Sequence, residues 1–355
     1  MKLSLDPRSS INSPTYFIAD IAANHDGDLV RALELIELAA RSGANAAKFQ
    51  NFKAETIVSK RGFVELGKKL THQSKWEKDV FQVYKEAELP IAWTEKLIEQ
   101  CNRFEIDYFT APYDLDFVRK FADLMPFYKI GSGDITWKES IELMASTGKP
   151  ILLATGASNM EEVREAVSLI EKYNVPYVLM QCNTNYTGDF DNFKFLNLNV
   201  IASFKEEFPK AVLGLSDHSQ GHVGVLGAIA LGARAIEKHF TDDVNRVGPD
   251  HAFSLDPAAW KKMIEDARIL EMALGDGTKR VEANEVDARI VQRRALRFSR
   301  SMNAGSAITS DDLIALRPCP ANGISPFDKD EVLGKILMRD VDGDELVTKD
   351  LLTNS

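Results

Sequence analysis

The stretch AVLGLSDHSQGHVGVLGAIALGARAIEKHF, residues 211–240, holds two short apolar runs around a longer one. Residues 211–217 and 235–240 have the length of strands. Residues 221–233 carry the apolar spacing of a helix and end near a glycine. A strand, a helix and a second strand in this order imply parallel pairing with the helix laid over the sheet. Both strands end in polar residues: Ser216, Asp217 and His218 on one, Glu237, Lys238 and His239 on the other. Burying three adjacent ionisable groups is costly unless each has a partner or a task.

The same unit repeats along the chain. Strand-like runs occur at 16–22, 46–50, 106–111, 127–132, 150–155 and 177–182, which with the two above makes eight. Residues 28–43 and 159–173 are among the helical patterns between them. Eight strand–helix units in about 240 residues predict a (β/α)8 TIM barrel. An open doubly wound sheet is the alternative, but no Gly-x-Gly-x-x-Gly loop follows the first strand. The pattern changes after residue 277. We read 1–277 as the barrel domain and the highly charged stretch 278–294 as a linker or surface helix. Residues 295–355 then form a small β-rich domain, marginal alone by its size.

The chain has 355 residues, 45% hydrophobic and 27% charged, with a net charge of −10. This is a globular profile, and its charge gives no support to nucleic-acid or membrane-surface binding. A local basic pocket for an anion remains compatible with it. There is no apolar run near membrane-spanning length and no signal-peptide core at the N-terminus. Cys101, Cys182 and Cys319 are scattered and odd in number. They suggest neither a disulfide framework nor a cysteine zinc site, and a cytoplasmic location is expected.

In a barrel, chemistry gathers where strands end. Asp20, Lys48, Gln50, Thr110, Lys129, Ser132, Asp134, Thr155, Thr184, Ser216, His218, Glu237 and His239 all lie at or just beyond such ends. Singly, several have plain structural readings: Asp217 caps a helix, and Gly131–Asp134 is a turn. Lys48 and Lys129 inside apolar strands are harder to explain that way. Such lysines snorkel outward or neutralise an anion. With Thr110, Ser132 and Ser216 nearby, phosphate is the natural anion. His218 and His239 end neighbouring strands and can share a divalent metal. Glu237 shares a face with His239, and Asp250 adds a carboxylate from the loop beyond. Oxygen-rich surroundings favour Mn2+ or Mg2+ over structural zinc.

The segments IADIAANHDGD, AAKFQNFKAE, YKIGSGD, ATGAS, GLSDHSQG, IEKHFTDD and GPDHAFSL, in this order, resemble the bacterial sialic acid synthase family. These are the N-acetylneuraminate, legionaminate and pseudaminate synthases. RPCPANGISP, residues 317–326, resembles that family's C-terminal antifreeze-like (SAF) domain. The resemblance implies condensation of phosphoenolpyruvate with an open-chain N-acetylated hexosamine. N-acetylmannosamine or a 2,4-diacetamido-trideoxy hexose is the acceptor class. The products are a nine-carbon 2-keto-3-deoxy acid and phosphate.

It further implies a metal, Mn2+ or alternatively Mg2+, on His218 and His239, with Asp20 and Glu237 as the other catalytic groups. Phosphoenolpyruvate contacts carry over to Lys48, Thr110, Lys129, Ser132, Thr155, Thr184 and Ser216. Sugar contacts carry over to Gln50, Asp134, Tyr186, Asp250 and Arg317, the last delivered by the partner in a domain-swapped homodimer. Glu237 is expected to hold a metal-bound water or orient the imidazole, and Lys238 to face the helices as a structural residue. Asp20 and Asp134 replace the family's usual glutamates, and Ala154 its usual serine. Two other readings remain: a synthase acting on a phosphorylated sugar, and a non-catalytic carbohydrate-binding protein. Both metal histidines and both lysines argue against the second.

Overall fold

A computed structural model describes residues 2–6, 13–67, 70, 73–74 and 76–353. Residues 1 and 7–12 of the N-terminal stretch read above lie outside the described residues. The chain divides into two compact units, Met1–Gly275 and Asp276–Ser355.

The first unit is a closed barrel of eight strands, each parallel to its neighbours. They are β1 (Tyr16–Asp20), β2 (Ala46–Asn51), β3 (Asp107–Pro112), β4 (Tyr128–Ile130), β5 (Ile151–Ala154), β6 (Tyr177–Cys182), β7 (Val212–Asp217) and β8 (Ala235–His239). Each lies within a residue of the run read from the sequence, or is shorter. Helices begin where the sequence caps them. Asp28 accepts from the Val30 and Arg31 amides ahead of Leu29–Arg41. Asn159 and Glu162 form a reciprocal capping box at Met160–Glu171. Each such cap contributes about 1 kcal/mol. Between β2 and β3, among the described residues, the chain makes the extra short α-helices Ala54–Ile57, Lys60–Glu65 and Val80–Glu86 and the 3-10 turn Ile91–Trp93 before Thr94–Arg103.

Strand alternation sorts the side chains into two sets. Tyr16, Ile18, Ala46, Phe109, Phe127, Leu152, Val178, Val212 and Ala235 pack together inside the barrel. Their neighbours Phe17, Phe49, Tyr108, Tyr128, Leu153, Leu179, Leu215 and Ile236 pack outward against the helices. Two or four residues beyond an inward apolar position, the same face carries polar groups. Asp20, Lys48, Gln50, Lys129, Ser216, Glu237 and His239 all obey this count, so the apolar interior ends in a polar mouth.

The second unit has its own core, including Leu296, Phe298, Ile308, Val332, Val347 and Leu351. Its regular strands are few. β9 (Ala295–Phe298) and β10 (Leu313–Leu316) pair antiparallel. Single bridges, Arg297 with Leu346, Met302 with Val341, Ala307 with Ile336 and Leu337 with Leu352, extend this pairing. The helix Val286–Gln292 buries no residue.

Candidate active site at the barrel mouth

The strand ends enclose a cavity of about 320 Å3. Asp20, Lys48, Gln50, Lys129, Ser132, Asp134, Tyr186, Ser216, His218, Glu237, His239 and Asp250 line it. At its floor four buried charges interlock. Lys48 Nζ lies 2.7 Å from Asp20 Oδ2 and 3.5 Å from Glu237 Oε1. Lys129 Nζ donates to Glu237 Oε1 at 2.6 Å, and Ser216 Oγ donates to the same oxygen at 3.1 Å. The side chains of all four charged residues are at most 4% exposed. Isolated, none of these charges would be tolerated here; paired, the two lysines and two carboxylates neutralise one another.

Their surroundings push the two carboxyls apart. Burial raises the Glu237 carboxyl, but Lys129 and Lys48 outweigh it and hold Glu237 down at about 2. Burial raises Asp20, and Lys48 only partly offsets it while the Glu237 charge adds to the rise. Asp134 and Asp250 are both raised by burial to about 6. Asp250 accepts the Ala23 amide at 3.1 Å.

The two histidines have ring centroids 5.4 Å apart. Burial lowers each to about 3, with the neighbouring His239 adding to the effect at His218 and Lys48 adding to it at His239. Both are therefore neutral at pH 7, the form that binds metals. His218 Nδ1 meets the Asn183 carbonyl at 3.0 Å. A carbonyl only accepts, so Nδ1 carries the proton and Nε2 keeps its lone pair. His239 Nδ1, Asp20 Oδ1 and Glu237 Oε2 are buried and without hydrogen-bond partners among the described residues. Two neutral imidazoles beside unfilled carboxylate oxygens fit a divalent cation. No group of three or more His, Cys, Asp or Glu converges on a metal position among the described residues. A cation here would draw its remaining ligands from water or substrate.

Three expected phosphate contacts lie elsewhere. Thr110 follows the inward Phe109 by one residue and so faces the helices; its hydroxyl donates to the Phe49 carbonyl at 3.0 Å. Thr155 is also on the outward face and donates to the Met180 carbonyl at 3.0 Å. Neither residue lines the described cavity. Thr184 does not line it either; its methyl group abuts Gly156, where a Cβ would collide with it. Ser132 remains well placed, accepting the Gly156 amide at 2.9 Å with its own proton uncommitted by that bond.

Glu237 makes no direct bond that would orient the His239 imidazole. Its carboxylate bonds lysines and Ser216. Lys238 faces outward and bonds Asp217 Oδ2 at 2.8 Å and the Ser219 carbonyl. Arg317 is exposed in the second unit, directly after β10.

The sequence reading missed one wall of the cavity: Phe52, Ile57, Trp76, Val83, Tyr84 and Ala87, from the insertion between β2 and β3, and Tyr113 just past β3. Counting four residues from the inward Phe109 would have found Tyr113. Residues on short amphipathic helices carry no such signal, because they read as core.

Comparison with known proteins agrees over most of the chain. The NeuB family matches residues 35–279, and the SAF domain matches 293–353. The N,N'-diacetyllegionaminic acid synthase of Campylobacter jejuni is 35% identical over 94% of this chain and 98% of its own. A pseudaminic acid synthase of the same species is 31% identical over 94% of this chain and 96% of its own. The crystal structure of the N-acetylneuraminic acid synthetase of Leptospira borgpetersenii superposes with a TM-score of 0.70 at 29% identity, covering 78% of this chain and 90% of that one. The chain belongs to the NeuB family and carries a SAF domain after its barrel.

Proposed function

We propose that this protein is a nonulosonic acid synthase, which condenses phosphoenolpyruvate with the aldehyde of an open-chain N-acetylated hexosamine. The observation that carries this reading is the charge-balanced floor, where two buried lysines meet two carboxylates of opposite pKa shift beside two neutral histidines.

Phosphoenolpyruvate brings a phosphate and a carboxylate to Lys48 and Lys129, with Ser132 and Ser216 as hydroxyl partners. Glu237, held ionised, keeps both lysines in place when no anion is bound. C3 of the enol phosphate attacks the acceptor aldehyde, forming the C–C bond as the aldehyde oxygen takes a proton. Water adds at C2 and loses a proton. The tetrahedral adduct then expels phosphate by C2–O cleavage, leaving the 2-keto group. Asp20, raised by burial, is the carboxyl suited to carry that proton, since paired groups with divergent pKa values divide acid–base roles. A divalent cation held by His218 and His239, Mn2+ or Mg2+, supplies Lewis-acid polarisation of the aldehyde when bound.

The acceptor is uncharged. Asp20, Asp134, Glu237 and Asp250 line the described cavity against Lys48 and Lys129. Both lysines are already paired, so a second phosphate would meet repulsion. In this reading the protein is a homodimer in which the partner's SAF domain brings Arg317 to the acceptor. Among the described residues no helix is long and apolar enough to cross a membrane, and all three cysteines are free, which suits a cytoplasmic enzyme. Phosphate release assayed with and without N-acetylated hexosamines tests the reading. Release with no acceptor present, or no release with any of these hexosamines, rejects it.

A further inference from the structure

Two phenols on the cavity wall have no part in the chemistry above. Tyr84 projects from the helix Val80–Glu86, and Tyr113 follows β3. Neither hydroxyl has a hydrogen-bond partner among the described residues. Phe52 joins them, with ring centroids 5.5 Å from Tyr84 and 6.4 Å from Tyr113. Trp76 lies 6.4 Å from Tyr84 on the same wall.

The Tyr113 phenol is seated by the backbone. A Cβ on Gly131 would stand 2.5 Å from its oxygen, so the absence of a side chain there leaves room for the ring to lie over the end of β4. The phenols also share the cavity with Asp134 and Asp250. After burial, these two carboxylates are what push Tyr84 upward. The wall thus pairs half-buried, uncommitted donors with flat apolar surface and acceptor groups nearby. An amide presents the matching set: a carbonyl oxygen to accept, an N–H to donate and a methyl group to bury.

We propose that Tyr84 and Tyr113 are specificity-determining residues that donate to acetamido carbonyl oxygens of the acceptor, while Phe52 and Trp76 cover the acetamido methyl groups. This inference rests on the function proposed above and adds the groups that recognise the sugar's substituents. Two phenols on one aromatic face suit an acceptor with two acetamido groups. The phosphoenolpyruvate end of the cavity is built from other residues, so the two substrates should respond separately.

The test uses the full-length protein with Mn2+, phosphoenolpyruvate and either N-acetylmannosamine or a 2,4-diacetamido-2,4,6-trideoxyhexose. Steady-state constants are measured for the wild type, Tyr84→Phe and Tyr113→Phe. Loss of one such hydrogen bond predicts a rise of about tenfold in the acceptor KM. The phosphoenolpyruvate KM and kcat should stay within about twofold, and the wild type should prefer the diacetamido acceptor. Unchanged acceptor KM in both variants, or an equal rise in both KM values, overturns the inference while leaving the enzyme's function intact. A wild type that prefers N-acetylmannosamine overturns the two-acetamide assignment. A wild type that releases phosphate with neither acceptor overturns the proposed function itself.

Discussion

Asp20 and Lys48 are register partners on the neighbouring strands β1 and β2, and their side chains meet at 2.7 Å. Parallel pairing and strand alternation suffice to bring them together, since each stands two residues past an inward apolar side chain. The same holds for Glu237 on β8, which is register partner to Ser216 on β7. The floor of the site therefore follows directly from the barrel's register. Its charges balance only as a set.

That balance gives a first prediction. Glu237→Gln leaves Lys129 and Lys48 with one buried carboxylate instead of two. Removing one partner of a buried ion pair typically costs about 3–5 kcal/mol, so Tm should fall well below that of the wild type. Phosphate or phosphoenolpyruvate supplies the missing negative charge and should raise the variant's Tm more than the wild type's. An equal ligand-induced shift in the two proteins would contradict the assignment of the lysines to an anion.

A second prediction concerns the histidines. His218→Ala and His239→Ala should each abolish turnover at saturating Mn2+, while circular dichroism reports an unchanged fold. Wild-type turnover in either variant after thorough chelation would refute the metal assignment. His222, whose Nε2 meets Asp266 at 2.9 Å outside the cavity lining, is the control: His222→Ala should retain activity.

A third prediction follows from Asp134. Its ordinary pKa is 3.8, and burial raises it to about 6 in the folded protein. The folded state holds that proton more tightly than the unfolded chain does. Its stabilising contribution is complete below pH 3.8 and is lost as pH rises through about 6. Asp134→Asn lacks the titration. Denaturant melts should show the wild type losing ground to Asp134→Asn across this window, and a constant difference would contradict the burial of that carboxyl.

The limits of sequence reading show in particular residues. Lys48, Lys129, His239 and the outward Lys238 were legible, because a charge inside an apolar strand is conspicuous and alternation assigns its face. Thr110 and Thr155 follow the same arithmetic but face outward, and the resemblance alone did not reveal this. From sequence, Glu237 reads as a residue of the metal side because it shares a face with His239. Its lysine partners come from strands distant in sequence, and only closure of the barrel brings Lys129 to it. Tyr84 and Trp76 sit in an insertion whose path across the mouth no periodicity encodes. In the second unit, isolated bridges replace long strands, so its pairing left little alternating pattern to read.

Arg317 provides a fourth prediction. Arg317→Ala should raise the acceptor KM at least about tenfold, in line with loss of a charge-assisted hydrogen bond, with the phosphoenolpyruvate KM little changed. Light scattering should give the mass of a dimer. A monomer with full activity would contradict delivery of Arg317 by a partner.

The most direct test of the proposed reaction follows the bridging oxygen of phosphoenolpyruvate. With 18O between C2 and phosphorus, C–O cleavage carries the label into inorganic phosphate, and only when an N-acetylated hexosamine and a divalent cation are both present. Mass spectrometry of the released phosphate should find one labelled oxygen per molecule. Unlabelled phosphate, or labelled phosphate formed without acceptor, would contradict a nonulosonic acid synthase.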